Sequence, residues 1–507
     1  MIKRTLYSFG IVFISAILAL GPAGCGGSGG GGSSDGGDEG AVSFWAVNFM
    51  GSATPPYDMY SLKANLVGEG EHCYIYLERG RIVSNNDINN IIDQFDNKIY
   101  PNLTAAYGND LRPVIDGDSD KTYILLLDIK DGWNGISITA YTAGYFYSMD
   151  QNTSWGYSNK KNILYMDIYP GMMGLNGFNN LRHAIAHEFQ HLIHWSKTKS
   201  SGSNNIWLNE AMSEVAPYYA FGETNPDRVT SFKSGTNHSC SLTDWGSSIA
   251  SYAITYMWAQ YMADRFDRPQ DNVFVFRDIL NVSNRGQGKN SVDEYFSQKH
   301  AGINFASVFR DWSLAIFFGD GRSGTPVSTP NDNWKYKTIN TWFDGSGNLF
   351  NTGNLNNATT ALRPLSHWSI GYYWWNDVLQ SPLEWNNSGV SNLNASFHDL
   401  ATLELDMAPD KTYPYTERAY LILRNTPDDP GFVGRSISPT YDWVLSTQQN
   451  IPPTPEEKLR AISESMAAES PMLRRSAAEP TPVCMHDILS WRAEEIQSQL
   501  QENQNNQ

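Results

Sequence analysis

Hydrophobic and polar positions change their period several times along the chain, and each change predicts an element. Cys73-Tyr74-Ile75-Tyr76-Leu77 alternates or runs apolar in the manner of a strand. Ile88, Ile91, Ile92, Phe95 and Ile99 recur with a helical period, which predicts a helix within Ile88 to Tyr107. Tyr123-Ile124-Leu125-Leu126-Leu127 is a continuous apolar run, the pattern of a strand covered on both faces. Residues 136–147 and Ile163 to Ile168 read as further strands, and a helix-rich stretch follows over roughly 179–320. Residues 360–450 return to short β-like segments such as Ala401 to Leu405 and Ala419 to Leu423, separated by Pro, Asn, Asp and Gly. That shift predicts a C-terminal β domain. Beyond Pro452 the chain is rich in Pro, Glu, Gln and Ser, which predicts a disordered tail with one short helix near Ile488.

The N-terminus follows a different logic. Lys3 and Arg4 precede an apolar stretch from Leu6 to Leu20, then Gly21-Pro22-Ala23-Gly24-Cys25. A charged region, an apolar core and small residues are the parts of an export signal, here 1–24. Cys25 after Ala23-Gly24 resembles a bacterial lipobox, with Pro22 departing from the usual Leu; ordinary secretion is the alternative. Gly26 to Gly40 is almost all Gly, Ser and Asp, so 25–40 reads as a flexible tether. The expected organisation is therefore signal, tether, a main domain over 41–320, a β domain over 350–450 and the tail 451–507. The expected location is extracytoplasmic, at the outer membrane or cell surface through a lipid anchor on Cys25.

Composition narrows the classes. With 507 residues, two or three domains are expected, and 41% hydrophobic with 13% aromatic residues is the make-up of a folded chain. A mean hydropathy of −0.42, with no long apolar run past the N-terminus, excludes a polytopic membrane protein. The net charge of −17 argues against a nucleic-acid partner. Past Cys25 only Cys73, Cys240 and Cys484 remain, so one disulfide at most is available and no disulfide framework.

The chemistry concentrates in His187-Glu188-Phe189-Gln190-His191. Two histidines four apart share a helical face and can chelate one zinc ion, with Glu188 beside the first to take a proton from water at the metal. Leu181, Ile185 and Leu192 form one stripe, and His183, His187, His191 and His194 another. The helix is thus expected to show an apolar face to the core and a histidine face to a cleft. His194 does not serve as a third ligand, because it lies about 10 Å along the axis from His187. The metzincin pattern fails as well, since it needs Gly and His where this chain has His194 and Lys197. Downstream, Ile206 to Glu214 reads as a second helix, ended or kinked at Pro217. Glu210 completes a His, His, Glu set, and Glu214, one turn on, accepts the outer N–H of a ligand histidine. A solvated acidic face is the competing reading of these two glutamates.

HEFQH followed by WLNEAMSE resembles the gluzincin clan, and most closely the hyicolysin-like metallopeptidases, over about 75–320. That resemblance implies an α+β zincin-like catalytic domain: a mixed sheet with an active-site helix, then a helical subdomain, here followed by a β-sandwich-like domain. It matches His187, His191 and Glu210 to the zinc ligands and Glu188 to the general base. Glu214 stands where the wider clan has an Asp. Tyr123 to Asp128, Tyr141 to Phe146 and, as an edge strand, Asn162 to Asp167 are similar to that family's sheet. Clan enzymes stabilise the oxyanion with a Tyr or His; Tyr252 and Tyr256 are candidates here, with core packing as the alternative role, and Tyr252 is carried forward. The implied activity is a metalloendopeptidase acting on a protein or peptide substrate with one Zn2+. Asp116 to Asp120 has carboxylates at alternate positions like a Ca2+ loop, though it lacks the bidentate Glu; a polar turn is the competing reading. Trp368, Tyr372, Tyr373, Trp374 and Trp375 suit either a strand core or a sugar-stacking surface. The second functional hypothesis is a surface adhesion or glycan-binding lipoprotein with a vestigial metal site.

Overall fold

A computed structural model describes residues 40–52, 54–138, 140–173, 176–200, 205–234, 237–319, 331–339, 367–375, 383–384, 393–398, 403–404, 412–413, 419–425, 454–468 and 481–505. The expected export signal, Cys25 and nearly all of the tether lie outside them.

From the N-terminus, strands β1 (Val42–Val47), β2 (Met59–Glu69) and β3 (Cys73–Glu78) lead into helix α1 (Asn85–Gln94). A π-turn over Phe95–Ile99 joins α1 to α2 (Tyr100–Tyr107). Strands β4 (Thr122–Leu127), β5 (Ala140–Phe146) and β6 (Ile163–Asp167) follow. Next come helices α3 (Gly177–Thr198), α4 (Ile206–Phe221), α5 (Pro226–Lys233), α6 (Ile249–Phe266), α7 (Val275–Ile279), α8 (Lys289–Lys299) and α9 (Phe305–Phe318). Strands β7 (Ser369–Trp375), β8 (Leu383–Glu384), β9 (Leu393–His398), β10 (Leu403–Glu404), β11 (Thr412–Tyr413) and β12 (Ala419–Asn425) precede α10 (Pro455–Ala468), β13 (Thr481–Cys484) and α11 (His486–Asn505).

The main sheet runs β1-β2-β3-β4-β6-β5-β13, with β3, β4 and β6 mutually parallel, β5 antiparallel to β6, and β13 parallel to β5. The apolar run of β4 explains its place: Ile124 and Leu126 face the helices, Tyr123, Leu125 and Leu127 the opposite side, and all are buried. On the helical side Ile185, Phe189 and Leu192 of α3 pack with α1, α2, α4 and α6. Phe189 meets Phe95 edge-on at 5.0 Å.

Four expectations change. The stretch Asn162 to Asp167 was expected at a sheet edge, but β6 lies inside, between β4 and β5, as its unbroken apolar sequence requires. Pro217 does not end α4. The helix continues to Phe221 and closes on Gly222 with a left-handed φ of 73°, because tertiary packing against α3 and α6 offsets the one lost backbone bond. The tail beyond Pro452 is not disordered among its described residues. Leu459, Ile462, Ile488, Leu489, Ala493 and Ile496 from α10 and α11 cover the sheet's second face against Phe44, Leu125 and Tyr145. Finally, β7, β9, β10 and β12 form a four-stranded sheet and β8 pairs with β11. Trp368, beside β7, and Tyr372 within it are buried in the helical core, and Tyr372 donates to the Ser313 carbonyl at 2.8 Å.

Candidate metal centre

Helix α3 carries both histidines across the sheet at β5 and β6. Its histidine stripe does not act as one face. His183 borders the cleft and pairs with Glu223 at 2.8 Å. His194 is buried away from it, and that burial pulls its pKa down to about 4. His187 and His191 remain, with their Nε2 atoms 3.2 Å apart.

Glu210 of α4 faces the same point. Its carboxylate is 0% exposed, and neither oxygen has a hydrogen-bond partner. Oε2 lies 3.4 Å from His187 Nε2 and Oε1 3.7 Å from His191 Nε2. A buried carboxylate without hydrogen bonds is costly unless a cation takes their place. The Sγ of Cys484 lies 3.7 Å from His191 Nε2, and one donor atom each of His187, His191, Glu210 and Cys484 all fall within 4.8 Å of one another. A zinc tetrahedron has edges of about 3.3 Å between nitrogen or oxygen donors and about 3.6 Å where sulfur is one. The printed separations of 3.2, 3.4 and 3.7 Å lie close to those edges, and the remaining pairs, within 4.8 Å, would draw together around a bound ion.

Neighbouring groups set the histidine tautomers. His191 Nδ1 faces Ser213 Oγ at 3.0 Å and Asn209 Oδ1 at 3.2 Å. The Ser213 hydroxyl donates to Gln190, so Oγ accepts from His191. This puts the proton on Nδ1 and leaves the Nε2 lone pair for a metal. Burial, reinforced by the adjacent His486 and His187, holds His191 well below its ordinary pKa, hence neutral. His187 Nδ1 faces Glu214 Oε1 at 3.7 Å, and Glu214 is itself clamped by Arg228 through Nε–Oε2 at 2.6 Å and Nη2–Oε1 at 3.0 Å. Ser213 and Asn209 lie beside Glu210 in the same motif, and their role could have been read from the i and i+4 spacing that puts them on one face.

Glu188 is buried, and its Oε2 accepts from the Phe146 amide at 2.9 Å. Burial raises its pKa to about 7, partly opposed by His187 and by hydrogen bonds from Cys484 and Phe146. Tyr252 also reaches the site: its hydroxyl donates to the Cys484 carbonyl at 3.0 Å and accepts from Lys458 Nζ at 2.9 Å. Tyr256 does not; its hydroxyl accepts from the Asn225 amide at 2.8 Å.

Cys484 entered the sequence reading only as a possible disulfide partner, and His486 and Lys458 had no part in it, because the tail was taken as disordered. The signal was there in Val483-Cys484-Met485 and the period of Ile488, Leu489 and Ile496. The suspected Ca2+ loop gathers no ligand set: Asp118 is paired with Lys161 at 2.7 Å, and among the described residues His187, His191, Glu210 and Cys484 are the one group of side chains placed to hold a metal ion. Cys73, Cys240 and Cys484 are free thiols.

The cleft beside the site encloses about 330 Å³ and is lined by His183, His187, Glu188, Glu214, Arg228 and Val483, among others. A larger groove of about 710 Å³ between Phe221, Asp267 and Phe274 holds none of these groups.

No family model matches the chain. The neutral metalloprotease ShpI of Staphylococcus hyicus is 28% identical over 242 residues, covering 45% of this chain and 53% of that protein. The chain thus spans about half the length of the curated relative it matches. That likeness and the grouped His, His and Glu donors support a metallopeptidase relationship and a bound metal ion, for which this donor set favours zinc.

Proposed function

We propose that the chain is a zinc-dependent peptidase in which His187, His191 and Glu210 hold the metal and Glu188 is the general base. The observation that carries this reading is the buried Glu210 carboxylate, bare of hydrogen bonds, facing the Nε2 atoms of His187 and of His191, whose outer nitrogen is held by Ser213. Zinc bound there would polarise a peptide carbonyl and acidify a water molecule. Glu188 would take the proton from that water and pass it to the leaving amine, a role its buried position next to His187 suits. Tyr252 is the donor available to a developing oxyanion, once its present acceptor has moved. The substrate is a protein or peptide, cleaved internally, and the enzyme is exported and lipid-anchored through Cys25. A Cys25→Ser variant released from the membrane fraction would support the anchor.

A second reading has one observation in its favour. Four protein donors make a closed site, which is the form of structural zinc. Glu188 argues against it, because a structural site has no use for a buried carboxylate next to its ligands.

Casein digestion separates the two. The expected result is about one zinc per chain, hydrolysis abolished by a chelator, and a Glu188→Gln variant that keeps the metal while losing activity. Zinc-loaded protein that cleaves no denatured substrate under any condition that frees the Cys484 thiol would refute the peptidase reading.

A further inference from the structure

We propose that Cys484 is a fourth protein ligand of the metal, and that β13 lies in the substrate's place along β5, so that the chain folds as a self-inhibited enzyme. The blocking half of this proposal rests on the peptidase reading above; the ligand half does not.

The sulfur is one vertex of a convergent set. It is buried 3.7 Å from His191 Nε2, within the donor cluster of His187, His191 and Glu210. The independent sign of an ion is Glu210, whose two buried oxygens point into this cluster with no hydrogen bond. A catalytic zinc site keeps one position open for water. Here Cys484 stands in that position, and beside the base that would use the water.

The backbone of the same segment sits as an extended peptide would. Thr481, Pro482 and Val483 pair with Ala140, Tyr141 and Thr142 of β5, and the register slips so that Cys484 meets Gly144. Among the described residues, β5 otherwise pairs only with β6. An unpaired sheet edge beside a catalytic helix is a natural dock for an extended chain. Pro482, Val483 and Cys484 line the cleft. The Cys484 carbonyl accepts from Tyr252 at 3.0 Å and Lys458 at 2.6 Å, so it occupies the one donor assigned to the oxyanion. The anchor is specific. His486 stacks on His191 at 3.7 Å, and Asp487 receives Lys458 at 2.6 Å, Ser247 at 2.6 Å and Trp245 at 2.9 Å.

Opening requires the Cys484 thiolate to leave the metal and take a proton from solvent, with water entering behind it. No oxidant is needed. If β13 is seated nine-tenths of the time or more, its removal raises the rate about tenfold or more.

Two measurements test this. In cobalt-substituted full-length protein, a thiolate-to-cobalt charge-transfer absorption is expected; Cys484→Ser should abolish it while raising kcat/KM on casein, up to the gain worked for a fully displaced β13. Wild-type protein needs no variant: peptide mapping after alkylation should find Cys484 protected with metal and labelled after chelation. An unchanged cobalt spectrum in Cys484→Ser, or equal labelling with and without metal, overturns the ligand assignment even if both proteins cleave casein. Loss of the absorption with the metal retained and no gain in rate overturns the blocking role. Cobalt–thiolate absorption in a protein that cleaves nothing, with Cys484→Ser equally inert, sinks the peptidase reading and the blocking role together, leaving the ligand assignment standing.

Discussion

Arg228→Met tests how the outer partners of the metal ligands act. Arg228 grips both oxygens of Glu214 at 2.6 and 3.0 Å, and the side chains are 16% and 5% exposed. Removing one partner of a buried ion pair costs about 3–5 kcal/mol, because the other charge is stranded. Arg228 borders the cleft, so the lower end applies, about 3 kcal/mol. The freed Glu214 carboxylate has His187 Nδ1, now 3.7 Å away, as its nearest cationic partner. It would shift toward that ring and turn it, with zinc affinity falling about tenfold. A Glu214→Gln, Arg228→Met pair removes both charges. Stability should then recover most of the loss, while zinc affinity stays low because the amide is a weaker acceptor for His187. Denaturant unfolding of the metal-free protein gives the first quantity, and competition with a chelator of known affinity gives the second. A double variant as unstable as the single one would refute the stranded-charge account. Native zinc affinity in both variants would show that Glu214 does not orient His187.

Three further outcomes are expected. Ser213→Ala removes the acceptor at 3.0 Å from His191 Nδ1 and should weaken zinc binding by about ten- to a hundredfold, read by the same competition. His194 is held down to about 4 by burial. The unfolded chain's imidazole binds a proton below about 6.5 and the folded one only near 4, so stability is lost as pH falls through that window, by about 3 kcal/mol. His194→Leu should flatten the denaturation profile between those pH values, and an identical slope in both proteins would contradict it. Chelation should lower the unfolding midpoint, since metal at a hundred times its Kd contributes about 2.7 kcal/mol; a midpoint indifferent to chelator would exclude a tightly held ion.

Much of the main fold could be read locally. Five of the six buried positions of β4 follow from one apolar run, and α3 from apolar residues at helical spacing. Other elements resisted such reading. The interior position of β6 depends on which strand lies beyond it, and α4 runs through Pro217 because neighbouring helices hold it. Residues 454–505 read as polar and disordered because their apolar side chains are dispersed over two helices, and only the second face of the sheet collects them.

The metal motif itself needed no tertiary information. In any α-helix His187 and His191 share a face and Glu188 sits beside them, because 3.6 residues per turn impose it. Glu210 could be nominated by the same spacing logic, but its state could not: a carboxylate on a helix becomes an unpartnered buried ligand only when α3 and α4 pack face to face. Cys484 lies 293 residues from His191, and no periodicity records that separation. Its place follows from β13 docking on the open edge of β5 while α11 buries its apolar side across the sheet. Local spacing thus determined two histidines and a base, whereas long-range burial decided that a cysteine closes the site.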